Sequence, residues 1–198
     1  MKHREIHEAI AARFHISNRT KRTLPWTAGQ RYNRYDLTKL YCDVGYTVGA
    51  EIGVRRGRYS EMLCQANPHL HLYCIDPWEP DYKYTPERQG ELYTYALERL
   101  SKYNVTIIRK TSFEALEDIE NQSLDFIFID GNHHFDYVML DIILWSAKVR
   151  SGGIISCHDF HHGEIGVVRA VEAYVQCHNI VPWYSTKEIE STAFWVKP

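Results

Sequence analysis

A chain of 198 residues, 44% hydrophobic and 24% charged, is long enough to bury one sizeable core without staples, and its longest apolar runs fall short of the roughly 20 residues of a membrane span. The N-terminus lacks a signal-peptide core, and the five cysteines (Cys42, Cys64, Cys74, Cys157, Cys177) are odd in number and form no C-x-x-C pair. This argues against a disulfide framework or a zinc knuckle and predicts a cytoplasmic protein with reduced, mostly buried thiols. The net charge of −2 conceals nine Lys/Arg against three Asp/Glu in residues 1–39; with no nucleic-acid-binding module motif, that excess reads as a solvated helix and loop, and nucleic acid is not an expected partner.

In chain order, residues 3–15 read as a helix with Ile6, Ile10 and Phe14 on one stripe. A polar stretch from Ser17 to Arg31 follows, punctuated by Pro25 and Gly29, and then a second helix that brings Leu37, Leu40, Tyr41 and Val44 onto one face. From there strands alternate with helices. Strand 48–52 precedes a helix near 58–66, strand 70–75 a helix near 87–102, and strand 105–109 a short helix near 112–119. Strand 124–129 precedes a helix near 134–148, and strand 153–157 a helix near 164–177. Such units predict a parallel sheet covered on both faces. The apolar runs 180–184 and 192–196 are joined by a link too short for a crossover helix and should pair antiparallel. The expected architecture is a doubly wound, Rossmann-like α/β fold over residues 47–198 with an N-terminal helical extension over 1–46. Ligands of such a sheet bind beyond the carboxyl ends of its strands, near the switch in strand order.

The most informative segment is Val48-Gly-Ala-Glu-Ile-Gly-Val-Arg-Arg-Gly57, a short strand that runs into an acidic residue and two glycines spaced G-x-x-x-G. Small residues at a strand-to-helix turn admit a ligand close to the backbone. The next strand ends in Asp76, about where a carboxylate would grip the two hydroxyls of a ribose. Together they indicate an adenosine-containing cofactor. No glycine occupies position 55, which weakens a nicotinamide fingerprint, and no G-x-x-x-x-G-K-[ST] segment indicates a P-loop.

An acidic residue followed by G-x-x-x-G resembles the first motif of the class I S-adenosylmethionine-dependent methyltransferases. Further on, Leu124-Asp-Phe-Ile-Phe-Ile-Asp-Gly-Asn-His133, then Asp141 and Trp145, and Ser151-Gly-Gly-Ile-Ile-Ser-Cys-His-Asp159 are similar to the small-molecule O-methyltransferase branch, with its I-D-G-x-H and G-G-x-x-x-x-H-D motifs. Gly166-Val-Val-Arg-Ala-Val171 continues the likeness, which covers about residues 40–198. The resemblance implies a seven-stranded sheet ending in an antiparallel hairpin. It also implies S-adenosyl-L-methionine as cofactor, with Glu51, Gly53 and Gly57 around its methionine portion, Asp76 on the ribose, Ser112 near the adenine, and Asp130 as a further cofactor-binding residue. Tyr59, followed by Ser60, stands where catechol-type relatives often carry a serine.

Asp130 closes the fourth strand and His158-Asp159 the fifth, so the three should converge at one mouth of the sheet. Oxygen-rich ligation of that kind suits Mg²⁺ or Mn²⁺, and the resemblance implies such a metal at equivalent strand ends, where it would acidify and orient an acceptor hydroxyl. His133 stands where catechol-type relatives carry a lysine base, and an imidazole can serve as general base there. A helix-capping role for Asp130 and His133 is the alternative. His134, His161 and His162 read as solvated loop histidines. Trp78, Tyr82, Tyr84, Tyr93 and Tyr95 offer an aromatic wall for a small-molecule acceptor, a sugar, phenol or natural-product scaffold. Tyr93 and Tyr95 cannot share one helix face. The N-terminal helices would cover the site or form a homodimer contact. A metal-binding, hydroxylase-like tailoring enzyme on the same fold and a non-catalytic cofactor-binding module are the alternative functions.

Overall fold

The computed structural model describes residues 3–16, 25–28, 32–80 and 84–198. Eight strands of these described residues form one sheet: β1 (Trp26–Thr27), β2 (Val48–Ile52), β3 (His71–Ile75), β4 (Val105–Ile108), β5 (Leu124–Ile129), β6 (Val149–Cys157), β7 (Trp183–Ser185) and β8 (Ala193–Val196). Their order is β1-β7-β8-β6-β5-β2-β3-β4. The run from β6 to β4 is parallel throughout; β8 is antiparallel to both of its neighbours, and β1 pairs parallel with β7. The chain moves outward from β2 through β3 to β4, then returns to the other side of β2 to lay down β5 and β6. The switch in strand order therefore falls between β2 and β5.

Among the described residues, six α-helices flank the sheet: α1 (His3–Phe14), α2 (Arg34–Asp43), α3 (Arg58–Ala66), α4 (Pro86–Leu100), α5 (Phe135–Ser146) and α6 (Ile165–Cys177), with a 3₁₀ turn at Glu114–Asp118. Two apolar cores result. On one face Ile6, Ile10 and Phe14 of α1 and Leu37, Leu40 and Tyr41 of α2 join Leu63, Leu92, Ala96 and Leu100 of α3 and α4 against Phe126, Phe128 and Phe194. On the other, Val138, Ile142 and Trp145 of α5 and Val167 and Val171 of α6 cover Ile52, Ile127, Ile129 and Ile155. Burial on both faces explains why β5, Asp125 apart, reads as an apolar run rather than an alternating one.

Local chemistry sets the element ends. Asn33 caps α2, its side chain accepting from the Tyr35 amide while Asp36 accepts from the Asn33 amide. Thr85 caps α4, with Pro86 at the first helical position, where the missing N–H costs nothing. β1 lies in the segment read as polar loop; two residues are too few to carry a periodicity, and it makes the sheet eight-stranded. β6 begins at Val149 rather than 153, because Gly152–Gly153 sits at a register shift inside the strand rather than at its start. Tyr82 and Gly29 lie outside the described residues. Among those described, no helix is long and apolar enough to cross a membrane.

Candidate functional site

The carboxyl ends of the central strands are tied together by the backbone: the Gly53 amide donates to Ile75 O, Asp130 to Ile52 O and His158 to Ile129 O, at 2.8–2.9 Å. Gly53 has φ +90°, and a Cβ there would lie 2.0 Å from the Asp130 carbonyl oxygen. Gly57, at φ +69°, opens α3 from the left-handed region. The glycine spacing thus lets the β2 loop pass tightly over the β5 loop and turn into a helix.

Glu51, next to last in β2, is buried, accepts from Ser60 Oγ at 2.5 Å, and is pushed by burial to a pKa of about 8. Asp76 accepts from the Arg55 amide at 2.9 Å on one oxygen and the Trp78 amide at 2.8 Å on the other. Burial raises its pKa despite these donors. The Trp78 indole in turn donates to Arg55 O at 2.8 Å and packs against Tyr93. With the Val54 amide also acting on it, Asp76 still keeps at least one lone-pair site to offer a hydroxyl, so its structural bonds and a ribose contact are compatible. Ser112, after β4, bonds the buried Asp141 of α5, whose pKa burial pushes up to about 6. Tyr93 is partly buried on the core and Tyr95 is exposed, as their spacing requires.

Across the crevice stands a cluster of acids and imidazoles. His133 Nε2 lies 3.1 Å from Asp159 Oδ2 and 3.8 Å from Asp130 Oδ1, and its Nδ1 lies 3.5 Å from Glu164 Oε1. Asp130, then burial in opposition, then Asp159 and Glu164 set its pKa, with a net rise above the ordinary imidazole value. Burial works against ionised Asp130, but His133 and His158 hold its pKa below the usual carboxylate value. Neither Asp130 nor His133 is spent on capping α5: Asn132 Oδ1 takes the His134 amide, and the helix begins without them. Asp159 itself has φ +57°, a left-handed conformation that aspartate tolerates better than most residues. His134 and His162 are exposed, while His161 leans to within 3.7 Å of Asp159.

His158 is buried, with Nδ1 3.2 Å from Asp159 Oδ1 and 3.4 Å from Asp130 Oδ1. Burial and the neighbouring Arg34 guanidinium disfavour a charged ring, while the two carboxylates favour one. Its Nε2 is 2.6 Å from Arg34 Nη1. A guanidinium only donates, so Nε2 accepts and the proton sits on Nδ1, facing the acids. Arg34 is anchored in turn: its amide donates to Glu188 Oε1 at 2.7 Å, its carbonyl accepts from Tyr59 Oη at 3.1 Å, and its guanidinium lies over the Tyr35 and Tyr59 rings.

Asp130, His158 and Asp159 therefore converge as expected, but His133 faces both carboxylates too. One ligand atom each from Asp130, His133 and Asp159 lies within 4.8 Å of the others, and the same holds for His158, Asp159 and Glu190. With His158 Nδ1 protonated and Nε2 engaged by Arg34, the first set fits a hard divalent cation better. A cavity of about 10 Å³ beneath Asp130, His133 and His158 has room for one water-sized group. Sequence reasoning missed Arg34, Glu164 and Glu190. Arg34 was one positive charge among nine in the N-terminal segment. Glu164 fell at the expected start of a helix five residues beyond Asp159, a position that signals proximity to the strand end. Glu190 lies in the hairpin link and carried no signal.

Residues 50–160, more than half of the chain, match the family described as Methyltransferase domain. Over 126 residues the chain is 29% identical to the protein y4gI of Sinorhizobium fredii (strain NBRC 101917 / NGR234), whose name assigns no function. The match takes in 59% of this chain and spans only 13% of that protein. Among solved structures, the O-methyltransferase TomG of Streptomyces achromogenes, involved in tomaymycin synthesis and determined with SAM, matches 98% of this chain and 89% of its own with TM-score 0.65 and 18% identity. The SAH-bound methyltransferase PaMTH1 of Podospora anserina matches 83% of this chain and 78% of its own at TM-score 0.65 and 13% identity. The family match, which spans the strands that build the β2–β5 crevice, makes the chain a member of the methyltransferase-domain family with the class I S-adenosylmethionine-dependent fold.

Proposed function

We propose that this protein transfers a methyl group from S-adenosylmethionine to a hydroxyl of a small molecule, a sugar, phenol or natural-product scaffold, with His133 as the proton acceptor. The observation that carries the reading is the setting of His133: half-exposed at the mouth of the switch point, flanked by Asp159, Asp130 and Glu164, and across the β2–β5 crevice from the glycine loop and Asp76. The fit of the cofactor rests on the buried Glu51, the tight passage at Gly53 and the lone-pair site left on Asp76. When bound, the cofactor supplies a sulfonium methyl: the acceptor oxygen gains the carbon as the sulfur–carbon bond breaks, and S-adenosylhomocysteine remains.

The chain's residues do the rest. Glu51, Gly53, Gly57, Asp76 and Ser112 hold and orient the cofactor; Asp159 accepts the Nε2–H of His133 and so aims the imidazole; the acceptor's hydroxyl proton moves to His133 Nδ1, beside Glu164. Arg34 comes from residues 1–46, read as an extension of the cofactor-binding domain 47–198, and keeps His158 and its two carboxylates in register. A second reading is favoured by the clustering of Asp130, His133 and Asp159, which would hold Mg²⁺ or Mn²⁺ and so acidify the hydroxyl directly. The test is transfer of labelled methyl to a panel of phenols and sugars, with Mg²⁺ and with EDTA. Transfer that survives EDTA and falls about 10²- to 10⁴-fold in His133→Ala is the expected result for imidazole base catalysis. Loss of transfer in EDTA supports the metal-assisted form, and a wild type that labels amines but no hydroxyl contradicts the proposal.

A further inference from the structure

α5 breaks the rule that a surface helix is polar on its outer side. The helix, FDYVMLDIILWS, holds no Lys or Arg, and its only charges are Asp136 in the first turn and Asp141, which is buried. Its inner face, Val138, Ile142 and Trp145, is already in the core. Its outer stripe is nevertheless apolar: Leu140 is 52% exposed, Ile143 48%, Tyr137 57% and Phe135 41%, and Ile165 at the head of the adjoining α6 is 55% exposed. These last two are neighbours, because Gly166 packs against the backbone of His133–Phe135, where a Cβ would lie 2.3 Å from the His133 carbonyl oxygen. A helix apolar all round belongs inside something larger.

We propose that this face is the twofold interface of a homodimer, with α5 crossing α5 of a second copy and one edge of the interface reaching the mouth of the site beside His133 and Glu164. Three features favour a second copy over other occupants. The exposed parts of the five side chains amount to on the order of 500 Å² per copy. Since homodimer interfaces are about 65% apolar, that implies about 800 Å² in all, the size of a standard interface per partner. Antiparallel crossing centred between Leu140 and Ile143 brings Asp136 at the head of one helix toward the tail of the other, where Lys148, whose ammonium also donates to Ile119 O, supplies the opposite charge. A lipid surface, by contrast, is met by helices rich in Lys and Arg on the polar face, and α5 has none.

The interface is independent of whether the site transfers methyl groups, so its test needs no substrate. Sedimentation of the full chain at about 50 μM subunits should give a dimer, and Leu140→Glu, at an exposed position, should give a monomer with unchanged circular dichroism and a Tm that no longer rises with protein concentration, an affinity loss of about 100-fold or more. Hydrogen exchange of the unmodified chain supplies a check that no variant can confound: protection of residues 135–144 should rise with protein concentration. A wild type that stays monomeric, a Leu140→Glu variant that stays dimeric, or concentration-independent exchange along α5 with binding to neutral lipid vesicles would each overturn the proposal.

Discussion

The two sides of the crevice are built by different means. On the cofactor side the loops are shaped by the backbone: Gly53 passes against the Asp130 carbonyl, Gly57 turns left-handed into α3, and Asp76 takes amide protons from Arg55 and Trp78. On the acceptor side the bonds run between side chains from four separate parts of the chain: Asp130 and His133 after β5, His158 and Asp159 after β6, Glu164 before α6, and Arg34 from the start of α2. Backbone geometry restricts which residues are allowed at fixed spacings, whereas a side-chain network leaves only scattered polar residues behind. The cofactor side is therefore written into local sequence, and the acceptor side is distributed along the chain.

Substitutions can break that contrast. The largest stability effect is expected from Gly53→Ala, which puts a methyl group against a carbonyl at positive φ; a loss of about 3 kcal/mol or more should appear in chemical denaturation. A loss below about 1 kcal/mol would mean that the loop can move aside. Asp76→Ala orphans the Arg55 and Trp78 amides, so it should cost about 1–3 kcal/mol of stability and weaken S-adenosylhomocysteine binding at least about tenfold. A variant that loses stability but not affinity would make Asp76 a loop tie and nothing more.

Glu51 provides a test in pH. Its folded pKa of about 8 stands above the ordinary 4.5, so between those values the folded protein holds a proton that the unfolded chain has released. Wild-type stability should accordingly fall as pH rises from about 4.5 to about 8, and the full penalty should be present above that. Glu51→Gln has no proton to lose and can still accept from Ser60. The two proteins should melt alike near pH 5, with the variant more stable above pH 8 by on the order of a few kcal/mol. Parallel melting curves across the range would show that Glu51 titrates normally.

The same contrast explains what the sequence reveals. The strand 48–52 and the strand 124–129 have the boundaries expected from their runs, because strands buried on both faces are mostly apolar, Glu51 and Asp125 being their only charged members, and are bounded by polar turns. Ile6, Ile10 and Phe14, and Leu37, Leu40, Tyr41 and Val44, lie on buried faces as their helical spacing requires. β1 is too short to leave a pattern, and the Gly152–Gly153 pair looks like a strand break although it is a shift within β6. In the site, the convergence of Asp130, His158 and Asp159 follows from parallel strands ending at one edge. That Arg34 reaches His158 across 124 positions of sequence depends on how α2 packs, which no local spacing encodes.

The central claim is that one side of the crevice binds the cofactor and the other handles the acceptor's proton. Calorimetric titration with S-adenosylhomocysteine of wild type, Asp76→Ala and His133→Ala, each with Mg²⁺ and with EDTA, tests it most directly. The account predicts micromolar binding by wild type and His133→Ala alike, unaffected by EDTA, and binding at least about tenfold weaker in Asp76→Ala. Absence of binding in the wild type, or a loss in His133→Ala as large as that in Asp76→Ala, would contradict it.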